Sequence, residues 1–572
     1  MRSYRTLLNV EYLAPDSAAK LSKSHLLTIG LEDYFQGKAL AGVVDRGNWP
    51  RFETRIEKNT LAALTLLDCW KAKATFFVTA ATAISCPAIL REIVGRGHAL
   101  GSAGVTGRSF RELHRTDLRE ELRRSKDRIE ACSGVRVHGY RVADRRLTPR
   151  DLWALEILAE EGFSYDSSLS PSGFRFRAEP WRAVPHKIRL GDRDLWEFPL
   201  PALNVAGCHV PISGGNYFRQ FPERFVNSAV AHWVRTHDLP FLMYFRIWDL
   251  DPDQPKITAA PFLARIRHYR NAQRMPGMVA EFLQRYRFTS VETFLDLPMA
   301  AALPEAPLAS VATSRERAAG GKPVSIVIPC FNEETALPYL ANTLRVLRER
   351  MEGSYGLQFI LVDDGSSDGT WDALARIFGA DPQFKLLRHA CNEGVAAAIL
   401  TGIREAGTEV VCSMDCDCTY DPLELRNMIP LLADGVDLVT ASPYHPRGSV
   451  VNVPAWRLAL SKTASRMYGM ALRQPLHTYT SCFRVYRKSA VTRLQLRETG
   501  FLGVAEVLGE MALDGSRIVE HPARLETRMF GHSKMRLART SAGHLRLMLR
   551  FAWRRAFSNG KESKLWRLPA QH

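Results

Sequence analysis

The sequence predicts two α/β domains in tandem. Three observations carry this: the length of the chain, an alternation of short β-rich runs with amphipathic helices, and a low-complexity break near the middle. A chain of 572 residues, 46% hydrophobic and 24% charged, is too long for a single core and too apolar for a disordered polymer. In the first half the β-rich runs include residues 26–31, 74–79 and 240–245; in the second they include 324–329, 359–362, 410–414 and 438–441. Such alternation predicts parallel α/β architecture in both halves. Between them, residues 299–322 are rich in Ala, Pro, Ser and Gly and carry no apolar period, which reads as a linker. The expected organisation is a domain at 1–298, the linker at 299–322, a second domain at 323–540 and a basic amphipathic segment at 541–572. No internal repeat relates the halves.

Composition narrows the function. Ten cysteines form no C-x-x-C pair, so neither a disulfide framework nor a zinc ribbon is signalled. The N-terminus leads into no sustained apolar region, and no uncharged apolar stretch approaches ~18 residues, so neither secretion nor a membrane span is expected. The formal net charge is +17, and residues 521–572 hold twelve Lys or Arg against Glu526 and Glu562. There Leu545, Met548, Leu549, Ala552 and Ala556 recur at helical spacing while Arg546, Arg550 and Arg554 fall on another face, a pattern suited to a helix lying on anionic lipid or to a basic helix packed on its own domain. Nothing in the sequence has the aromatic-rich basic groove or zinc-finger spacing of a nucleic-acid binder. The expected location is the cytoplasm, peripheral on the inner face of the membrane.

The second half contains three polar strand ends. Val324 to Glu334 is a buried parallel strand running into a polar turn, which places Pro329, Asn332 and Glu333 where open parallel sheets bind ligands. The next strand ends in Asp363-Asp364-Gly365, where carboxylates accept hydrogen bonds from a base or ribose and glycine permits close approach. Asp415 and Asp417 alternate along what reads as an extended segment, so one addresses a ribose while the other reaches a divalent cation that neutralises a departing nucleoside diphosphate.

From about Pro323 to Lys534 these motifs, in order and spacing, resemble family 2 glycosyltransferases, and within them the dolichol-phosphate mannose synthase-like branch. The resemblance rests on Ile328-Pro-Cys-Phe-Asn-Glu, Val362-Asp-Asp-Gly-Ser-Ser-Asp-Gly-Thr, Asn392-Glu-Gly-Val, Asp415-Cys-Asp, Thr480-Ser-Cys-Phe-Arg and Gly531-His-Ser-Lys. It implies a type A fold with a Rossmann-like mixed sheet, and a nucleotide held by Pro329, Asn332, Glu333, Asp363 and Asp364. It further implies Asp415 and Asp417 as the metal and diphosphate pair, with Asp417 on Mg²⁺ or Mn²⁺, Arg457 and Ser461 on an acceptor phosphate, and Arg528 and Lys534 near the diphosphate. Two departures fall on the acceptor side: Pro443 stands where the branch has an arginine, and Thr478 to Arg484 alters its Asp-x-Thr-Ser-Gly-Phe-Arg pattern. A phosphate acceptor is anionic and needs no base; a hydroxyl acceptor would, and Glu506 is the candidate.

The first half, from Leu27 to about Leu297, resembles polysaccharide deacetylases, most closely the branch associated with exopolysaccharide export. The segments carrying this are Leu27-Thr-Ile-Gly-Leu-Glu-Asp, Ala74-Thr-Phe-Phe-Val, Gly139-Tyr-Arg-Val, Gly214-Gly-Asn-Tyr-Phe-Arg and Tyr244-Phe-Arg-Ile-Trp-Asp. The implied fold is a distorted (β/α) barrel. The catalytic positions have changed: Gly30 replaces the base, Ala103 and Gly107 replace the two metal histidines, and Arg246 replaces the acid histidine, while Glu32, Asp33, Arg141 and Trp248 are retained. Ala and Gly cannot bind a metal, and an arginine cannot donate a proton near neutral pH. A relocated site using Glu32, Asp33, His98 or His114 competes with core or surface roles for both histidines.

The expectation is an inverting, metal-dependent glycosyltransferase moving a sugar from a nucleotide-sugar to a polyprenyl-phosphate, glycan or glycolipid acceptor, with a zinc-free pseudo-deacetylase domain as binding module or scaffold. A bifunctional transferase and deacetylase is the alternative, followed by a non-catalytic scaffold.

Overall fold

The computed structural model describes residues 9–12, 24–108, 110–142, 147, 151–169, 184–205, 208–298, 321–451, 453, 455–531 and 537–557. Lys534, nearly all of the expected linker and residues 558–572 lie outside them. The chain divides into two compact units, one of residues 1–45, 54–255 and 262–313, the other of residues 46–53, 256–261 and 314–572.

The first unit is built on a ten-stranded sheet. Its strands run in the order Asn9–Tyr12, His186–Leu190, Arg193–Glu197, Tyr165–Asp166, Gly139–Tyr140, Ala99–Ser102, Thr75–Val78, His25–Leu31 and Leu242–Arg246, with Phe288–Thr289 also pairing His25–Leu31. From Arg193–Glu197 onward every pairing is parallel, whereas His186–Leu190 is antiparallel to both of its neighbours. Parallel strands covered by helices are apolar on both faces, and Leu26, Leu27, Ile29 and Leu31 are all fully buried. Parallel register sets Gly30 beside Arg246, at the strand ends where the expected catalytic positions fall.

Two acids are sealed inside this sheet. Asp166 accepts hydrogen bonds from Ser168 N (3.0 Å) and Ser168 Oγ (2.7 Å), and Glu197 from Leu169 N (3.0 Å). Burial raises the pKa of both, and the charge of Asp166 adds to the rise at Glu197, which is held well above the usual carboxylate range. A carboxyl whose folded pKa is raised contributes stability at low pH that is lost as pH climbs through the folded value. The unfolding midpoint of the wild-type chain is therefore expected to fall as pH climbs from the ordinary carboxylate range through the raised folded value, and Glu197→Gln to flatten that fall; equal pH dependence of wild type and Glu197→Gln would refute the assignment to Glu197.

The second unit carries a seven-stranded mixed sheet in the order Phe384–Arg388, Tyr355–Asp363, Lys322–Cys330, Val410–Ser413, Arg484–Arg487, Leu438–Ser442 and Ile518–Pro522. Arg484–Arg487 is antiparallel to both neighbours, and all other pairings are parallel. The expected strands are present, somewhat longer at Lys322–Cys330 and Tyr355–Asp363. Arg484 is fully buried and donates to the carbonyls of Val504 (2.8 Å) and Tyr479 (2.9 Å), fastening the antiparallel strand to the helix Phe501–Leu513.

The described part of the basic C-terminal segment lies in the helix Leu537–Phe557, whose expected apolar face is split: Met548 is turned inward, and Leu545 and Leu549 outward. Leu547, Met548 and Phe551 are the buried residues, while Leu545 and Leu549 face outward. Arg550 and Arg554 pair with Glu506 and Glu510 of Phe501–Leu513 and so are not a free cationic face. The helical period was readable, but the buried side was decided by acids some forty residues upstream.

Candidate active site

In the second unit, carboxylates from two parallel strand ends meet one arginine. After Lys322–Cys330 the backbone turns sharply, with Asn332 at φ 52°. Asn332 N donates to Ser366 Oγ (2.9 Å) and its Oδ1 accepts from Ser367 N (2.8 Å), clasping the loop that follows Tyr355–Asp363. Glu333 N donates to Thr370 Oγ1 (2.8 Å), and Glu333 Oε1 accepts from Arg528 Nη1 (2.8 Å). Nε of the same guanidinium donates to Asp417 Oδ2 (2.7 Å). Pro329 lies within the strand, paired with Val362 and only half-buried.

Asp415 and Asp417 do not alternate along an extended segment. The chain turns after Val410–Ser413, with Cys418 N donating to Asp415 O (3.2 Å) and Cys418 at φ 53°. Burial, then the adjacent charge of Asp417, push the Asp415 carboxyl up to about 7, although the Cys482 thiol hydrogen-bonds to it. Asp415, Asp417 and Glu333 thus crowd around a single guanidinium, and their hard oxygen donors suit a divalent cation. Among the described residues no three His, Cys, Asp or Glu side chains are arranged to hold an ion by themselves. These acids fit a cation that completes its shell with diphosphate oxygens, the usual manner of Mg²⁺.

The aspartates after Tyr355–Asp363 are engaged by the protein itself. Asp364 accepts from His389 Nδ1 (2.8 Å), Asn392 Nδ2 (3.0 Å), Glu393 N (2.9 Å) and Gly394 N (2.8 Å), which shapes the turn entering the helix Val395–Glu405. Asp363 accepts from Ser366 N (3.2 Å) and pairs with Arg388 (3.1 Å). Gly365 has φ 66°, and a Cβ there would lie 2.4 Å from the Cys391 carbonyl carbon, so the two loops touch only because this residue is glycine. His389 and Cys482 are partners of site aspartates that sequence reading does not single out; His389 stands in no motif.

The remaining candidates are dispersed. Ser461 lies on the helix Ala455–Leu472 and hydrogen-bonds to the Tyr444 hydroxyl, while the Arg457 side chain and Lys534 are outside the described residues. Glu506 is 1% exposed. One of its oxygens accepts from Arg497 N (3.0 Å) and Glu498 N (2.7 Å), and the other pairs with Arg550. One oxygen thus ties down the loop that precedes the residue's own helix and the other meets the terminal helix, which is not how a base meeting an acceptor hydroxyl is placed.

In the first unit the residues at the expected catalytic positions are engaged within the protein as follows. A Cβ on Gly30 would stand 3.1 Å from Tyr244 Oη and 3.4 Å from Arg246 Cγ. Arg246 pairs with Glu32 (3.1 Å), and its guanidinium lies 5.6 Å from the ring centre of Trp248. Asp33 accepts from Thr54 Oγ1 (2.7 Å) and Arg55 N (2.9 Å). Ala103 is buried in an apolar cluster with Phe77, Tyr165 and Phe198, and Gly107 sits at φ 70°. Arg141 donates to Thr28 Oγ1 (3.0 Å) and to Ser167 Oγ (2.7 Å) and O (3.1 Å), with its guanidinium 4.2 Å from the Phe77 ring centre; burial lowers its pKa to about 10. Nδ1 of His98 accepts from Ala74 N (3.2 Å) and burial lowers its pKa to about 4, while His114 is exposed at the start of the helix Arg115–Ser133.

Comparison with known proteins divides the chain in the same way. Residues 325–494 match Glycosyl transferase family 2, residues 36–158 match Polysaccharide deacetylase, and residues 167–296 match a domain of unknown function, DUF3473. The polyprenol monophosphomannose synthase of Mycolicibacterium smegmatis is 30% identical over 241 residues, 40% of this chain and 89% of that protein. The undecaprenyl-phosphate mannosyltransferase of Micrococcus luteus is 31% identical over 218 residues, 37% of this chain and 87% of that protein. The dolichol-phosphate mannosyltransferase of Pyrococcus furiosus is 29% identical over 37% of this chain, which spans 59% of that protein. With polar strand ends, a mixed sheet and this identity over most of a relative's length all in agreement, the chain belongs to glycosyl transferase family 2.

Proposed function

We propose that the second unit transfers a sugar, with inversion, from a nucleotide-sugar to a polyprenyl phosphate at an anionic membrane surface, and that the first unit is a pseudo-deacetylase acting as binding module or scaffold. The observation that carries the transferase reading is the meeting of Glu333, Asp417 and Arg528 beside Asp415 in a member of this family. Pro329, Asn332 and Glu333 would line the nucleotide, with Asp363 and Asp364 positioning the loops around it. Asp417, with Asp415 next to it, would hold Mg²⁺ or Mn²⁺, which when bound offsets the charge of the diphosphate. Arg528 neutralises Asp417 and Glu333 in the ligand-free chain, and with Lys534 would turn to the diphosphate when donor binds.

Arg457 and Ser461 would face the acceptor phosphate. A phosphate monoester is already anionic at neutral pH, so it attacks the anomeric carbon in line without surrendering a proton. That fits a site in which Glu506, the candidate base, is committed to Arg550 and two backbone amides. A panel of nucleotide-sugars scored for nucleoside diphosphate release tests the proposal: release should depend on added polyprenyl phosphate and cease in chelator. Donor turnover indifferent to lipid phosphate but driven by a hydroxyl acceptor would overturn it.

The pseudo-deacetylase reading has its own test. With Gly30, Ala103, Gly107 and Arg246 at the catalytic positions, the full chain should release neither acetate nor formate from N-acylated amino-sugar oligomers, even with added zinc. Stoichiometric zinc together with deacylation abolished by Asp33→Ala would promote the bifunctional alternative.

A further inference from the structure

The helices Ala455–Leu472 and Leu537–Phe557 pack against each other, held by Tyr468 Oη and His544 Nδ1 (2.7 Å) and by Tyr468 against Phe551. Each turns an apolar stripe outward. On the terminal helix, Leu545, Leu549 and Trp553 recur every four residues, with Leu549 63% and Trp553 64% exposed. Ala542, Ala552 and Ala556 are exposed at adjoining positions. On the other helix, Leu460, Met467 and Met470 are exposed at spacings of seven and three, Met470 by 72%. Single exposed apolar residues are ordinary, but two neighbouring helices with apolar residues repeating at helical spacing on their solvent side mark an interaction surface.

The charge around the stripes selects the partner. Neither residues 455–473 nor residues 537–557 contain an Asp or Glu. Lys462, Arg466 and Arg473 are exposed on or just beyond the first helix, and Arg546 on the second. Arg550 and Arg554, by contrast, are paired with Glu506 and Glu510, so their charge is offset within the protein although Arg554 keeps 45% of its side chain exposed. Apolar side chains flanked by cations and free of acids match an anionic bilayer, where acyl chains receive the leucines and tryptophan and headgroups meet the Lys and Arg.

We propose that Leu545, Leu549 and Trp553, supported by Met467 and Met470, insert into an anionic lipid surface and hold the transferase unit there, and that Arg550 and Arg554 serve the fold rather than the lipid. This rests on the polyprenyl-phosphate reading only in its purpose, since the surface is defined without reference to the acceptor. Flotation of the full chain with vesicles of phosphatidylcholine, with and without phosphatidylglycerol, tests it. The wild type should partition to the anionic vesicles, and the double variant Leu549→Glu/Trp553→Glu should lose about tenfold or more of that partitioning, because apolar burial is exchanged for like-charge repulsion. Donor turnover with a detergent-dispersed short-chain polyprenyl phosphate should be unchanged in the double variant, which shows that the protein is folded and separates failure of the lipid surface from failure of the acceptor assignment. Undiminished flotation of the double variant would overturn the proposal. So would a concentration-dependent dimer in lipid-free solution that Leu549→Glu/Trp553→Glu dissociates, which would assign the stripe to a second copy of the chain.

Discussion

Asp417→Ala is expected to lower sugar transfer by about 10³-fold while the protein stays folded, since charge stabilisation of a leaving diphosphate acts chiefly in the transition state. The same carboxylate also anchors Arg528 at 2.7 Å, so the substitution leaves that guanidinium on Glu333 alone. Two consequences separate the variant from a misfolded one: the unfolding midpoint should change little, and titration with Mn²⁺ should no longer promote nucleotide binding. Asp417→Asn, which keeps the shape and loses the charge, should be nearly as inactive. Full turnover in either variant, or activity indifferent to chelator, would remove Asp417 from the site.

Glu506→Ala should act on stability first. The residue is 1% exposed, accepts two backbone N–H bonds and meets Arg550, so its removal strands three donors. Breaking a buried pair costs about 3–5 kcal/mol, and the partial exposure of Arg550 places the expected loss near the lower end. For a unit of this size that corresponds to a fall in the unfolding midpoint of roughly 5 °C. Well below that midpoint the variant should retain much of its turnover with a phosphate acceptor. A variant of normal stability whose turnover is lost would restore Glu506 as a base.

The architecture was legible because its signals are local. The run from Val324 to Cys330 is apolar but for Ser325, as suits a strand covered on both faces, and the polar turn behind it marks the binding end of the sheet. Asp415-x-Asp417 was legible as a pair of acids, but its geometry was not: the left-handed Cys418 belongs to a turn with no glycine to announce it. Arg528 illustrates the general limit. Its two acids lie 195 and 111 residues away in the chain, and no spacing rule links them. The terminal helix fails for the same reason, since its period shows two faces while only Glu506 and Glu510, brought close by folding, decide which one is buried.

The packing at Gly30 bears on the pseudo-deacetylase proposal for the first unit. Placing an aspartate there sets its Cβ 3.1 Å from Tyr244 Oη, which must give by a few tenths of an ångström, and 3.4 Å from Arg246 Cγ. Restoring a histidine at Ala103 would force an imidazole into a cluster already filled by Phe77, Tyr165 and Phe198, and overpacking of that kind typically costs about 1–3 kcal/mol. On the pseudo-deacetylase proposal, no single substitution would return a hydrolytic site, because the base position and both histidine positions would have to change together before three ligands and a base were in place.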